Sequence, residues 1–255
     1  MNIKLLIYKV LSRIYGISRI VKSYQNQKFR AELARFSALT EHSKVRFDLK
    51  LADAMPCMDE NTAVTGFDRH YIYHPAWAAR MLAALKPAEH VDISSSLHFC
   101  SLVSAFIKTR FYDYRPAPLY LSNLTSEAAD LLALPFDSES IESLSCMHVV
   151  EHIGLGRYGD PMDYDGDIKA AAELARVVSP KGSLLFVVPV GRPRIAFNAH
   201  RIYSFEQVVA LFPSLTLKHS SLVPDDLDSG LVENPRPDVF SAQEYGCGCF
   251  WFVKE

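Results

Sequence analysis

Residues 167–190 read DIKAAAELARVVSPKGSLLFVVPV, and this stretch decides the fold. Its first half has a helical pattern, whereas SLLFVVPV, residues 183–190, is a nearly unbroken apolar run. A strand with one wet face alternates apolar and polar residues; an unbroken run marks a strand covered on both sides. The same logic extends outward. IESLSCM (141–147), HVDISSS (90–96) and RFYDYRP (110–116, stopped by Pro116) read as strands. PLYLSNL (118–124) is a third apolar piece ahead of a short helical patch. Helices are expected at HPAWAARMLAALKP (74–87), with Pro75 in the first turn and Pro87 as a stop, and at SLVSAFIKT (101–109). SFEQVVALF (204–212) begins as a capping box, with Ser204 followed by Gln207. EYGCGCFWFVKE (244–255) reads as a strand that joins a preceding piece in an antiparallel edge. Buried strands alternating with helices predict an α/β fold, a doubly wound, mostly parallel sheet. In such a sheet the ligand crevice lies at the strands' carboxyl ends.

The 255-residue length suits one large domain with an extension, divided at 1–65 and 66–255. A net charge of -2 gives nucleic acid no support as a partner. Cys57, Cys100, Cys146, Cys247 and Cys249 follow no metal-ligand spacing, so no metal is expected and free thiols in a reducing cytoplasm are. The N-terminus is the biased segment. Lys4, Lys9, Arg13, Arg19, Lys22, Lys28 and Arg30 precede the first acid, Glu32. Ile3, Ile7, Val10, Ile14, Ile17 and Val21 form one apolar stripe on a helix. Charges interrupt it too often for a bilayer span. Two readings stand: a helix docked on its own domain, or peripheral membrane contact through residues 1–31.

Polar residues gather where the strands end. Asp92, Asp113 and His148 all fall at such positions, and Glu151-His152 follows directly. Glu151-His152 reads first as a stabiliser of the next turn. Asp160, Asp163, Asp165 and Asp167 in DPMDYDGD lack the glycine position and terminal acid of a calcium loop, and read as helix-capping residues. Arg192, Arg194, His200 and Arg201 follow the last apolar strand and form either a ring around an acceptor pocket or a solvated basic loop.

The runs DLLALPFDSESIESLSCMHVVEHI (130–153) and AAELARVVSPKGSLLFVVP (171–189) resemble the class I S-adenosylmethionine-dependent methyltransferases. An acid precedes Leu134-Pro135-Phe136, a strand ends near Glu151-His152, and a helix leads through Pro180-Lys181-Gly182 into an apolar strand. The resemblance covers roughly residues 70–215. HVDISSSLHF, YDYRP, GRYGDPMD and NAHRIYS further resemble an uncharacterised bacterial branch, a domain of unknown function beside these enzymes.

The resemblance implies S-adenosyl-L-methionine as cofactor and methyl transfer to a small-molecule acceptor, a saccharide or sugar nucleotide among them. It implies Asp113 for the ribose hydroxyls, Asp130 for the adenine amino group and Leu131 against the ring. Asp92, Ser94 and Ser96 would form the loop along the cofactor. His148 would stand beside the methyl group, with His148 and His200 as candidate bases. The family usually carries glycine where this chain has Ser94 and Ser96. A side chain at positive φ costs on the order of 1 kcal/mol. The rival expectation is a catalytically silent relative that keeps the fold for binding or scaffolding.

Overall fold

The computed structural model describes residues 23, 25–39, 46–58 and 60–255. The chain divides into two compact units, Met1–Gly66 and Phe67–Glu255. In the first, residues 25–39 are helical and Leu51–Asp53 form a single 3-10 turn. The apolar stripe of residues 3–21 lies outside the described residues. Among the described residues no helix is long and apolar enough to cross a membrane.

The second unit is built on an eight-stranded sheet of order β3-β2-β1-β4-β5-β10-β8-β9. Its strands are β1 (Glu89–Ile93), β2 (Lys108–Asp113), β3 (Leu124–Ala128), β4 (Ile141–Met147), β5 (Val178–Val190), β8 (Thr216–Val223), β9 (Val232–Glu233) and β10 (Gly246–Val253). A separate hairpin pairs β6 (Arg194–Ala196) with β7 (His200–Ile202). β3, β2, β1, β4 and β5 are parallel, and β10 runs antiparallel to both β5 and β8. The helices are α1 (Arg69–Leu85), α2 (Leu97–Val103), α3 (Gly166–Val177), α4 (Phe205–Ala210) and α5 (Pro237–Ser241).

β5 shows why its sequence is unbroken. Leu184, Phe186 and Val188 enter a core with Leu174 of α3 and Val208 of α4. Leu185 and Val187, pointing the other way, join Trp77 and Leu82 of α1 and Phe99 of α2. Helices therefore cover both faces, and the doubly wound reading holds. The capping box is also present, since Ser204 accepts from the Gln207 backbone and Gln207 accepts from the Ser204 backbone.

Four of the departures from expectation have a clear physical reason. α1 starts at Arg69, because Asp68 caps it by accepting from Tyr71 N at 3.1 Å, so Pro75 lies inside the helix. α2 ends at Val103, well before Thr109, because Thr109 pairs with His90 across β1 and β2. β3 is Leu124–Ala128, where a helical patch is expected after PLYLSNL. Parallel pairing to β2 imposes this, and its polar composition fits a strand on which only Leu124 is fully buried. Finally, β10 is no edge: it lies between β5 and β8, with Phe250 and Phe252 fully buried.

Candidate functional site

The loops after β1, β2, β3 and β4 enclose a cavity of about 370 Å³. Ser94, Asp113, Asp130, Leu131 and His148 all line it, one or two from each loop. Asp113 turns its own loop, with Oδ1 accepting from Arg115 N at 2.7 Å. Asp130 does the same through Leu132 N at 2.9 Å. In each carboxylate the backbone engages Oδ1, and Leu131 supplies a buried apolar wall. Ser94 takes the left-handed conformation, φ 56°, that a glycine would adopt here. Its N–H donates to Tyr112 O at 2.7 Å, tying the loop to β2.

The other expected cofactor residues, Asp92 and Ser96, do not line this cavity. Asp92 is fully buried. Its Oδ1 accepts from Ser95 N at 3.0 Å, and Oδ2 accepts a short hydrogen bond from the Ser145 hydroxyl. Ser145 also meets His90 Nε2 at 2.9 Å, so His90, Ser145 and Asp92 form a polar chain between β1 and β4. Burial pushes the Asp92 carboxyl up to about 6 and the His90 imidazole down to about 3. Asp92 therefore shapes the loop instead of facing its contents. Ser96 is the N-cap of α2 and makes no side-chain capping bond.

At the β4 end, His148 also has a positive φ, 56°, which turns its side chain inside the fold. Its Nδ1 lies 2.8 Å from Oε1 of Glu151, and both side chains are almost completely buried. Burial disfavours the charged imidazole, yet the Cys247 sulfur and the Glu151 carboxylate prevail and hold it above its ordinary value. Its ring stacks on His70 at 5.3 Å and meets His74 edge-on at 5.0 Å. Burial, then the neighbouring His148, pushes His70 down to about 4 and His74 down to about 2. Glu151 thus does more than stabilise a turn, and His152, next to it, lines the cavity. His200 does not line the cavity; its ring lies 6.4 Å from His152 and 4.8 Å from Tyr245. Burial keeps it below its ordinary value.

The basic ring around an acceptor does not assemble from the three arginines. Arg201 is buried and donates to Ile153 O at 2.6 Å and Tyr164 O at 2.9 Å, with Asp167 3.5 Å away. Arg194 is tied to Glu244, and Arg192 is exposed. The aspartates of DPMDYDGD are also spoken for. Asp160 accepts from Gly154 N, Asp163 pairs with Lys169, and Asp167 accepts from the Tyr203 hydroxyl. Asp165 is the N-cap of α3 by position only, without a side-chain capping bond. A larger hollow of about 590 Å³ follows α3 and α4 to Lys254, outside the loops that end β1 to β4.

Sequence reading missed His70, His90, Ser145 and Cys247 as members of this region. His90 and Ser145 carried one signal, a polar residue inside an otherwise apolar strand. His70 and Cys247 carried none, because only folding brings them to His148.

No curated protein matches the chain. A family model described as "Caenorhabditis protein of unknown function, DUF268" matches residues 135–217. Among solved structures, the YcgJ protein of Bacillus subtilis is 11% identical, with a TM-score of 0.50 over 71% of this chain and 98% of that one. The 1,6-didemethyltoxoflavin-N1-methyltransferase of Burkholderia thailandensis, solved with 1,6-didemethyltoxoflavin and S-adenosylhomocysteine, is 14% identical. Its TM-score is 0.51 over 71% of this chain and 78% of that one. The chain has the fold of the class I S-adenosylmethionine-dependent methyltransferases.

Proposed function

We propose that the chain transfers a methyl group from S-adenosylmethionine to a small-molecule acceptor. One observation carries the reading: Ser94, Asp113, Asp130, Leu131 and His148 converge from four loops on a single cavity at the parallel strands' carboxyl ends. The donor set fits the cofactor. Two carboxylates suit hydroxyls and an amino group, both hydrogen-bond donors. Asp113 would take the ribose hydroxyls and Asp130 the adenine amino group, with Leu131 against the ring. Asp92 and Ser95 would hold the first loop in place without touching the ligand. When bound, the cofactor supplies an electrophilic methyl carbon on sulfur.

The residues at the β4 end would receive the acceptor. Methyl transfer needs alignment and exclusion of water first, and removal of a proton second. His148 is a poor proton acceptor, because Cys247 and then Glu151 hold it above its ordinary value. His200 is half-buried, and burial keeps it below its ordinary value, so it is the better base.

Calorimetric titration with S-adenosylmethionine and S-adenosylhomocysteine tests the first half of this reading. Saturable binding is expected, and Asp113→Ala should weaken it by roughly 1.5–3 kcal/mol, about 10- to 150-fold. No binding at millimolar cofactor would leave the silent relative, in which Ser94 stands where a ligand needs glycine. The acceptor screen starts with saccharides and sugar nucleotides, extends to small amines, and reads release of S-adenosylhomocysteine.

A further inference from the structure

We propose that His70, His148 and Cys247 form a zinc-binding site. α1 supplies His70, the loop after β4 supplies His148, and β10 supplies Cys247. One ring nitrogen of each histidine and the cysteine Sγ all lie within 4.8 Å of one another. Zinc takes nitrogen at about 2.0–2.1 Å and sulfur at about 2.3 Å in a tetrahedron, which puts donors roughly 3.3–3.7 Å apart. Closure by about 1 Å is then a side-chain adjustment, and half-buried His70 has the room to make it.

The second argument is the state of the imidazoles. A metal-ligating histidine is normally fixed through its other nitrogen by a carboxylate or a carbonyl oxygen. Both histidines have that partner. His148 Nδ1 is on the Glu151 carboxylate at 2.8 Å, and His70 Nε2 is on the Tyr245 carbonyl oxygen at 3.1 Å. With those two nitrogens taken up, His148 Nε2 and His70 Nδ1 are the atoms that would face the metal, which displaces the proton His148 carries in its absence. His148 Nε2 is buried and has no hydrogen-bond partner, a condition that buried polar atoms rarely tolerate. Two imidazoles and a thiolate select zinc and its transition-metal neighbours over magnesium or calcium, which prefer oxygen. Three protein ligands leave one coordination position for water or for an oxygen, nitrogen or sulfur atom of a bound molecule. The site shares only His148 with the cofactor cavity and does not rest on the methyl-transfer reading.

The test uses the full chain, stripped with a chelator, kept reduced with a phosphine, and titrated with Zn²⁺ or Co²⁺. One equivalent of Zn²⁺ should bind in competition with a chromogenic chelator and raise the melting temperature. The Co²⁺ form should show a sulfur-to-cobalt charge-transfer band in the near ultraviolet. Cys247→Ser should abolish that band, His70→Ala should abolish stoichiometric Zn²⁺ binding, and Glu151→Gln should weaken it about 10- to 100-fold. Should Cys247→Ser fail to fold, half-buried His70 keeps the test open, with circular dichroism of the metal-free variant as the control. Absence of stoichiometric Zn²⁺ binding, or binding that survives His70→Ala, overturns the proposal. Cofactor titration of the same samples separates this outcome from failure of the methyl-transfer reading.

Discussion

Asp92 shows how a residue can shape a site that it never faces. Burial, only partly offset by hydrogen bonds from Ser145 and Ser95, holds its carboxyl at about 6 against an ordinary 3.8. Between these values the folded chain keeps a proton that the unfolded chain has released. Its contribution is therefore complete below about pH 4 and is lost as pH rises through about 6, a change on the order of 3 kcal/mol. Asp92→Asn cannot ionise. In urea unfolding, the stability of the parent minus that of Asp92→Asn should fall by about that amount between pH 4 and 7 and then level off. A difference independent of pH would show that the carboxyl is not protonated in the fold. At this scale the sequence was legible where Asp113 closes a strand and where the family resemblance places Asp130, since both reach the cavity. It was silent on depth: nothing in HVDISSS says that Asp92 faces inward and Ser94 outward. Nor does sequence order hint that His70 and Cys247 flank His148.

Among elements, the loop between β4 and α3 forms the far wall of the cavity, and one side chain staples it. Arg201 of β7 reaches the carbonyl oxygens of Ile153 and Tyr164 and pairs with buried Asp167. Arg201→Ala should cost about 3–5 kcal/mol, because it leaves buried Asp167 without its counter-charge, held only by the Tyr203 hydroxyl. The same change should expose residues 153–165 to limited proteolysis and weaken cofactor binding, since His152, Tyr158 and Asp160 line the cavity. Unchanged protease resistance would argue that the loop holds itself. The strong periodic elements were readable: β4, α3 and the capping box stand where the residues place them, and β5 includes its expected run but starts earlier, at Val178. β3 and the end of α2 were not, because pairing with β2 overrides local preference at Leu124 and Thr109.

For the whole molecule, the decisive feature is the place of β10. Phe250 is fully buried and packs against Phe205, Phe240 and Phe252. Phe250→Ala should destabilise the chain by about 3–5 kcal/mol in urea while cofactor affinity stays within a few-fold, since β10 contributes nothing to the cavity wall. A large loss of affinity in the folded variant would mean that the two halves of the sheet are coupled. The sequence made β10 legible as a strand; its interior position depends on pairing partners that no local pattern encodes. β10 also sets an order of events during synthesis. Strands β1 to β5 and their cavity are translated first, but β5 and β8 have no partner between them until residues 246–253 emerge. A ribosome paused before that point displays two bare, apolar sheet edges, the kind of surface that seeds aggregation. Pairing of β10 with β5 and β8 covers both edges at once.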